Sequence, residues 1–145
     1  MAIRKNTEVK DIHSKYYWNK LRNLNIKHFQ LSEFDSPDDI GSGENMDTDF
    51  LIRLDRARDL AGVPFKVNSG YRTFNHNKKI GGIANSFHMN IPCNAADIAA
   101  KDSINRYVIL SALLKAGFTR IGIGKNFIHC DTDKLKSQRI CWHYY

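Results

Sequence analysis

Two histidines and two aspartates in the second half of the chain have types and spacings that metal chemistry uses. In "FIHCDT" a strand places alternate side chains on one face, so His129 and Asp131 point the same way while Ile128 and Cys130 point the other. The Cα atoms of the first pair lie about 6.6 Å apart. His88 stands in the Ser/Asn/Pro stretch "NSFHMNIPCN", a loop that lets it turn toward a partner. Asp97 sits in the small-residue run "NAADIAA", an apolar setting that is costly for a lone carboxylate. Two histidines and one carboxylate are enough to hold a catalytic zinc with its fourth position open to water, whereas a structural zinc closes that position, usually with cysteine. Plainer roles stand beside this one: His129 as a surface histidine offset by a neighbouring acid, and Asp97 as a carboxylate satisfied by loop amides.

A second group lies upstream in "NSGYRTFNHN". A Ser-Gly turn after the strand-like "FKVNS" delivers Tyr71 and Arg72 at the end of a rigid element, where binding residues concentrate. The planar fork of Arg72 suits a carboxylate, in a substrate or in a salt bridge. His76 is a further possible ligand, although "HNKK" reads as the surface of a helix.

The elements that must carry these residues follow from periodicity. Residues 48–61 place Phe50, Leu51, Leu54, Ala57 and Ala61 on one helical face, with Asp47 as N-cap and Gly62-Val63-Pro64 as the stop. A second core-packing helix is predicted at about 103–116, with Ile104, Tyr107, Val108 and Leu114 on its apolar face and Gly117 as its stop. Five short strands are predicted: "FKVNS", "AADIAA", "RIGIG", "FIHCDT" and "RICWHY". The sum is a single α+β domain over 1–145, with a mainly antiparallel sheet and helices on one side. The Ser, Asp, Pro and Gly clusters of 32–47 predict an acidic surface loop, preceded by a basic segment at 1–28.

With 42% apolar and 26% charged residues the composition is globular, and no apolar run approaches the roughly 18 residues of a membrane helix. Three cysteines without a CxxC pair, Cys93, Cys130 and Cys141, read as free thiols. The net charge of +7 is uneven: residues 31–49 hold seven acids and no base, so the rest of the chain is strongly basic. A basic surface favours an anionic partner, whether nucleic acid, membrane face or cell-wall polymer.

Three segments in order, "NSGYRT" at 68–73, "SFHMNIPCNAADI" at 86–98 and "NFIHCDTD" at 126–133, resemble the zinc D-alanyl-D-alanine carboxypeptidase and endopeptidase family, which includes vancomycin-resistance dipeptidases and phage endolysin peptidases. "HNKKIGG", "GFTRIGIG" and "RICWHY" are also similar to its compact branch, so the likeness runs over about 29–144. The resemblance implies one zinc ion bound by His88, Asp97 and His129, a substrate contact from Arg72, Ser86 lining the site, and the Hedgehog/DD-peptidase-like α+β fold; Arg72 is expected to serve catalysis as well as binding, and Tyr71 beside it to bind substrate. It also implies hydrolysis of peptide bonds in peptidoglycan stem peptides. Two departures matter. The glutamate that family members carry shortly before the last histidine is missing from "KNFI", which leaves Asp131, or failing that Asp133, as the expected general base. The usual His-to-Asp spacing of seven becomes nine between His88 and Asp97, which an outward bulge at Ile91 and Pro92 would absorb. A rival alignment takes His143 of "WH" as third ligand in place of His129.

The charged N-terminus lacks the apolar core of a secretory signal. The expectation is therefore a protein made in the cytoplasm that reaches the wall through a separate release factor, or one carried on a virion. A monomer without membrane insertion is expected. A wall-binding or virion assembly protein of the same fold without catalysis is the alternative. Nucleic-acid binding would rest only on charge and on Tyr16, Tyr17, Trp18 and Phe29 near lysines, and is disfavoured because those aromatics suit packing on the core.

Overall fold

The computed structural model describes residues 21–144, so most of the expected basic segment, with Tyr16, Tyr17 and Trp18, lies outside the described residues. The α-helices and strands lying wholly within the described residues are, in chain order, α1 (Thr48–Ala61), β1 (Val67–Ser69), α2 (Phe74–Lys79), β2 (Ala95–Ala99), α3 (Ser103–Lys115), β3 (Arg120–Ile123), β4 (Phe127–Asp131) and β5 (Ile140–His143). The local chemistry is visible at the ends of α1. The Asp47 carboxylate accepts from Phe50 N at 2.8 Å, which satisfies one of the free amides of the first turn. Gly62 ends the helix at φ 64°, a conformation costly for a residue with a Cβ.

The sheet has the order β1-β2-β4-β3-β5 and is antiparallel except for the β3–β5 pair. Its register draws a row of partners across all five strands: Ser69, Asp97, His129, Gly122 and Trp142. A neighbouring row pairs Ala95, Asp131, Arg120 and Ile140. On either side of the His129 row Ile98, Ile121, Ile128 and Cys130 face the other way and join Phe50, Leu54 and Leu113 in one buried core. Each such side chain contributes about 1.5–3 kcal/mol by leaving water. One face of the sheet is thus filled by helices and the other is left for chemistry.

Two expectations are corrected. Helix α3 packs through Ile109, Ala112 and Leu113, while Ile104, Tyr107 and Leu114 are 78%, 74% and 55% exposed. The small Ala112, with the adjoining Ala116, lets the helix approach closely, and bulk alone pointed to the wrong side. The 32–47 segment is irregular but is not a detached surface loop. Phe34 and Met46 are buried, and the 3-10 turns Leu31–Phe34 and Ser42–Asn45 brace it. Several of its acids cap backbone amides: Asp35 accepts from Gly41 N at 3.0 Å and Gly43 N at 2.7 Å, and Glu33 from Gln30 N at 2.7 Å. The acidity of the segment is therefore largely local turn chemistry.

The same segment holds the loop before β2. Asp47 N donates to Cys93 O and Cys93 N donates to Asn45 O, each at 2.7 Å. Between His88 and this clamp the chain runs outward at the expected bulge, with Ile91 67% exposed and Cys93 buried.

Candidate metal centre

Asp97 and His129 face each other across β2 and β4, and His88 is brought to them from a 3-10 turn at Phe87–Met89. Ser86 caps that turn by accepting from His88 N at 3.3 Å. All three side chains are buried. His129 Nδ1 lies 2.8 Å from Asp97 Oδ1, His88 Nε2 lies 3.2 Å from the same oxygen, and the two nitrogens are 3.3 Å apart. A tetrahedral ion holding ligands at about 2.1 Å keeps them about 3.4 Å from one another, so this donor set matches such an ion in number, type and spacing.

Each donor is also aimed from behind. His88 Nδ1 donates to Gly70 O at 2.6 Å, which leaves Nε2 for the centre. His129 Nε2 donates to Asp131 Oδ2 at 3.1 Å, which leaves Nδ1 for the centre. Asp97 uses Oδ2 for Arg72 Nη2 at 2.9 Å and presents Oδ1. Arg72 is steadied in turn by donating from Nε to Ser69 Oγ at 2.8 Å. Backing of this kind fixes tautomer and ring orientation in metal sites.

The electrostatics follow the geometry. Burial pushes the Asp97 carboxyl up, but hydrogen bonds from His129 and His88 outweigh it and hold the group well below the usual carboxylate range. Burial pulls His129 down, and its bonds to Asp131 and Asp97 reverse that and raise it. Asp131 is raised by burial, yet the bond from His129 and the Arg120 charge leave it lowered overall.

Asp131 therefore does not stand where a general base must. It is fully buried, with Oδ1 on Arg120 Nε at 2.7 Å and Oδ2 on His129, so it backs the ligand instead of opening to the groove. Asp133 is no substitute, since its carboxylate accepts from Leu135 N at 2.8 Å in the following turn. Tyr71 is buried in the hydrophobic core, and its amide pairs with Phe34 O at 2.9 Å, so it contributes packing and not a groove surface. His143 alternates with Trp142 on β5 and so lies on the face away from His129, and His76 lies on α2 outside the cluster. His88, Asp97 and His129 form the floor of a groove of about 550 Å³ lined also by Arg72, Ser86, Arg120, Phe127, Trp142 and Tyr144.

Arg120, Gly122, Trp142 and Tyr144 were not singled out in the sequence. A signal exists: period two in "RIGIG" and "ICWHY" puts Arg120 with Gly122 and Trp142 with Tyr144, but only the register sets both pairs beside His129. All three cysteines are free thiols, with Cys93 and Cys130 buried and Cys141 exposed. Among the described residues no helix is long and apolar enough to cross a membrane.

The family model for peptidase M15 matches residues 27–131, more than two thirds of the chain. The chain belongs to the peptidase M15 family. The matched range contains Arg72, Ser86 and the whole His88–Asp97–His129 cluster, and ends before β5. No curated protein matches the chain.

Proposed function

We propose that this chain is a zinc-dependent peptidase that cleaves peptide bonds in the stem peptides of bacterial peptidoglycan, reaching the wall after release by a separate factor or on a virion. The carrying observation is the cluster of three buried donor atoms no more than 3.3 Å apart, each aimed by an outer partner, at the floor of a groove. A zinc ion there would polarise the scissile carbonyl and lower the pKa of a bound water toward about 7. His88, Asp97 and His129 hold the ion, and Gly70 O, Asp131 and Arg72 keep their donor atoms directed. Arg72 and Arg120 give the groove positive charge, which favours the carboxylate-bearing peptides of the wall and the developing negative charge of acyl transfer. Ser86 acts through the turn that carries His88.

The test is digestion of purified peptidoglycan, with mass spectrometry of the products, before and after chelation and after zinc is returned. New peptide ends that vanish with the metal and return with zinc are expected. Turnover that survives both chelation and His129→Ala would sink the reading. A second reading, a wall-binding or virion assembly protein of this fold without turnover, is favoured by one observation. Among the described residues lining the groove the one carboxylate is Asp97, and both its oxygens are engaged, so no ready proton acceptor is in view. Tight zinc with no cleavage of any stem peptide would select it.

A further inference from the structure

The groove beside the metal cluster has one wall of a different character from its floor. Trp142 lies with its ring 5.7 Å from that of His129, Tyr144 lies 6.2 Å beyond it, and Phe127 lies 5.3 Å from Tyr144. The Arg120 guanidinium sits over the Trp142 ring at 5.4 Å. This wall exists because Gly122 in β3 and Gly124 just after it have no side chain. A Cβ on Gly122 would stand 2.7 Å from atoms of both Trp142 and Tyr144, and one on Gly124 would stand 2.1 Å from Phe127. Trp142 shares the cross-strand row of His129 and Gly122, and Tyr144 and Phe127 extend the wall beside it, with successive rings inclined by 67° and 41°. Burial in a core does not account for the arrangement, because Tyr144 remains 51% exposed and the rings line the groove.

We propose that Trp142, Tyr144 and Phe127 form a platform that binds an uncharged residue of the substrate peptide next to the bond that is cut, and so determines specificity. The inference rests on the peptidase reading and deepens it. Aromatic faces stack on peptide planes and small apolar side chains and repel a carboxylate, and the Arg120 guanidinium already over Trp142 disfavours a second cation there. The two arginines that line the groove, Arg72 and Arg120, would then take the anionic part of the same peptide. Two of the three platform residues come from β5 and the residue after it, outside the range that matches the family.

The chain has two tryptophans, so Trp18→Phe leaves Trp142 as the sole indole reporter. In that background, loaded with zinc, titration with a soluble stem peptide should shift Trp142 emission saturably. Tyr144→Ala and Gly122→Ala should each raise KM for the peptide about tenfold, with kcat within about threefold and zinc content unchanged. Should Gly122→Ala fail to fold, Tyr144→Ala carries the test. Cleavage with no change in emission and an unchanged KM would overturn the platform, as would a response to the glycan disaccharide and none to the peptide. A saturable response to the peptide in a zinc-loaded protein that cuts nothing would uphold the platform and remove the peptidase reading.

Discussion

On one face of β4, Ile128 and Cys130 are held by volume; on the other, His129 and Asp131 are held by direction. The first pair sits fully buried in an apolar core, where any side chain of similar shape would do nearly as well. The second pair is equally buried, yet each polar atom has a named partner: Asp97 and Asp131 around His129, Arg120 and His129 around Asp131. Burial without those partners would cost several kcal/mol per charged group. One five-residue strand therefore obeys two rules at once, and substitutions on its two faces should fail in different ways.

The largest separation is expected from His129→Ala. Zinc affinity should fall by more than about a hundredfold, the upper end of what an outer partner alone is worth, and peptide cleavage should be lost with it, read by metal analysis and product mass spectrometry. Ile128→Ala should do the reverse. Thermal or denaturant unfolding should show a loss of about 2–5 kcal/mol, while the protein that remains folded still binds zinc stoichiometrically. Loss of zinc by both variants at conditions where both are folded would erase the contrast.

Asp131→Asn tests the groove face more finely. As the residue behind His129 it should weaken zinc about 10–100-fold, and excess zinc should restore cleavage. Failure of excess zinc to restore it would return Asp131 to the role of proton acceptor that its burial argues against. On the core face, burial pushes the Cys93 thiol up to about 12 and Cys130 well above its ordinary value, so neither is a thiolate near pH 8. A thiol reagent should label Cys141 quickly in the native protein and all three only after unfolding. Smallest of all, Ile104→Lys on the exposed side of α3 should change stability by no more than about 0.5 kcal/mol.

The same contrast governs how far the sequence could be read. That His88, Asp97 and His129 come together was legible because ligand chemistry leaves few residue types to choose from, and alternation in "FIHCDT" set His129 on the same face as Asp131. Helix α1, its cap and its stop were legible for the equally local reason that capping acts within one turn. The role of Asp131 was hidden because it depends on Arg120, a register partner on another strand. Tyr71 was misplaced because its neighbour is Phe34, far back in the chain, and α3 was turned over because alanines gave its buried face little weight. What pairing across the sheet decides, a local pattern does not announce.

The clamp between Cys93 and residues 45–47 has a further consequence for the loop that joins His88 to Asp97. Both ends of that excursion are pinned, one by the bond from His88 to Gly70 and one by the clamp, while Ile91 points outward. Lengthening a loop between fixed ends costs little, about 0.6 kcal/mol for a doubling. The spacing between His88 and Asp97 is therefore loosely held by this architecture: the chain can grow or shrink there and reshape the outer surface while the three side chains of the cluster keep their places.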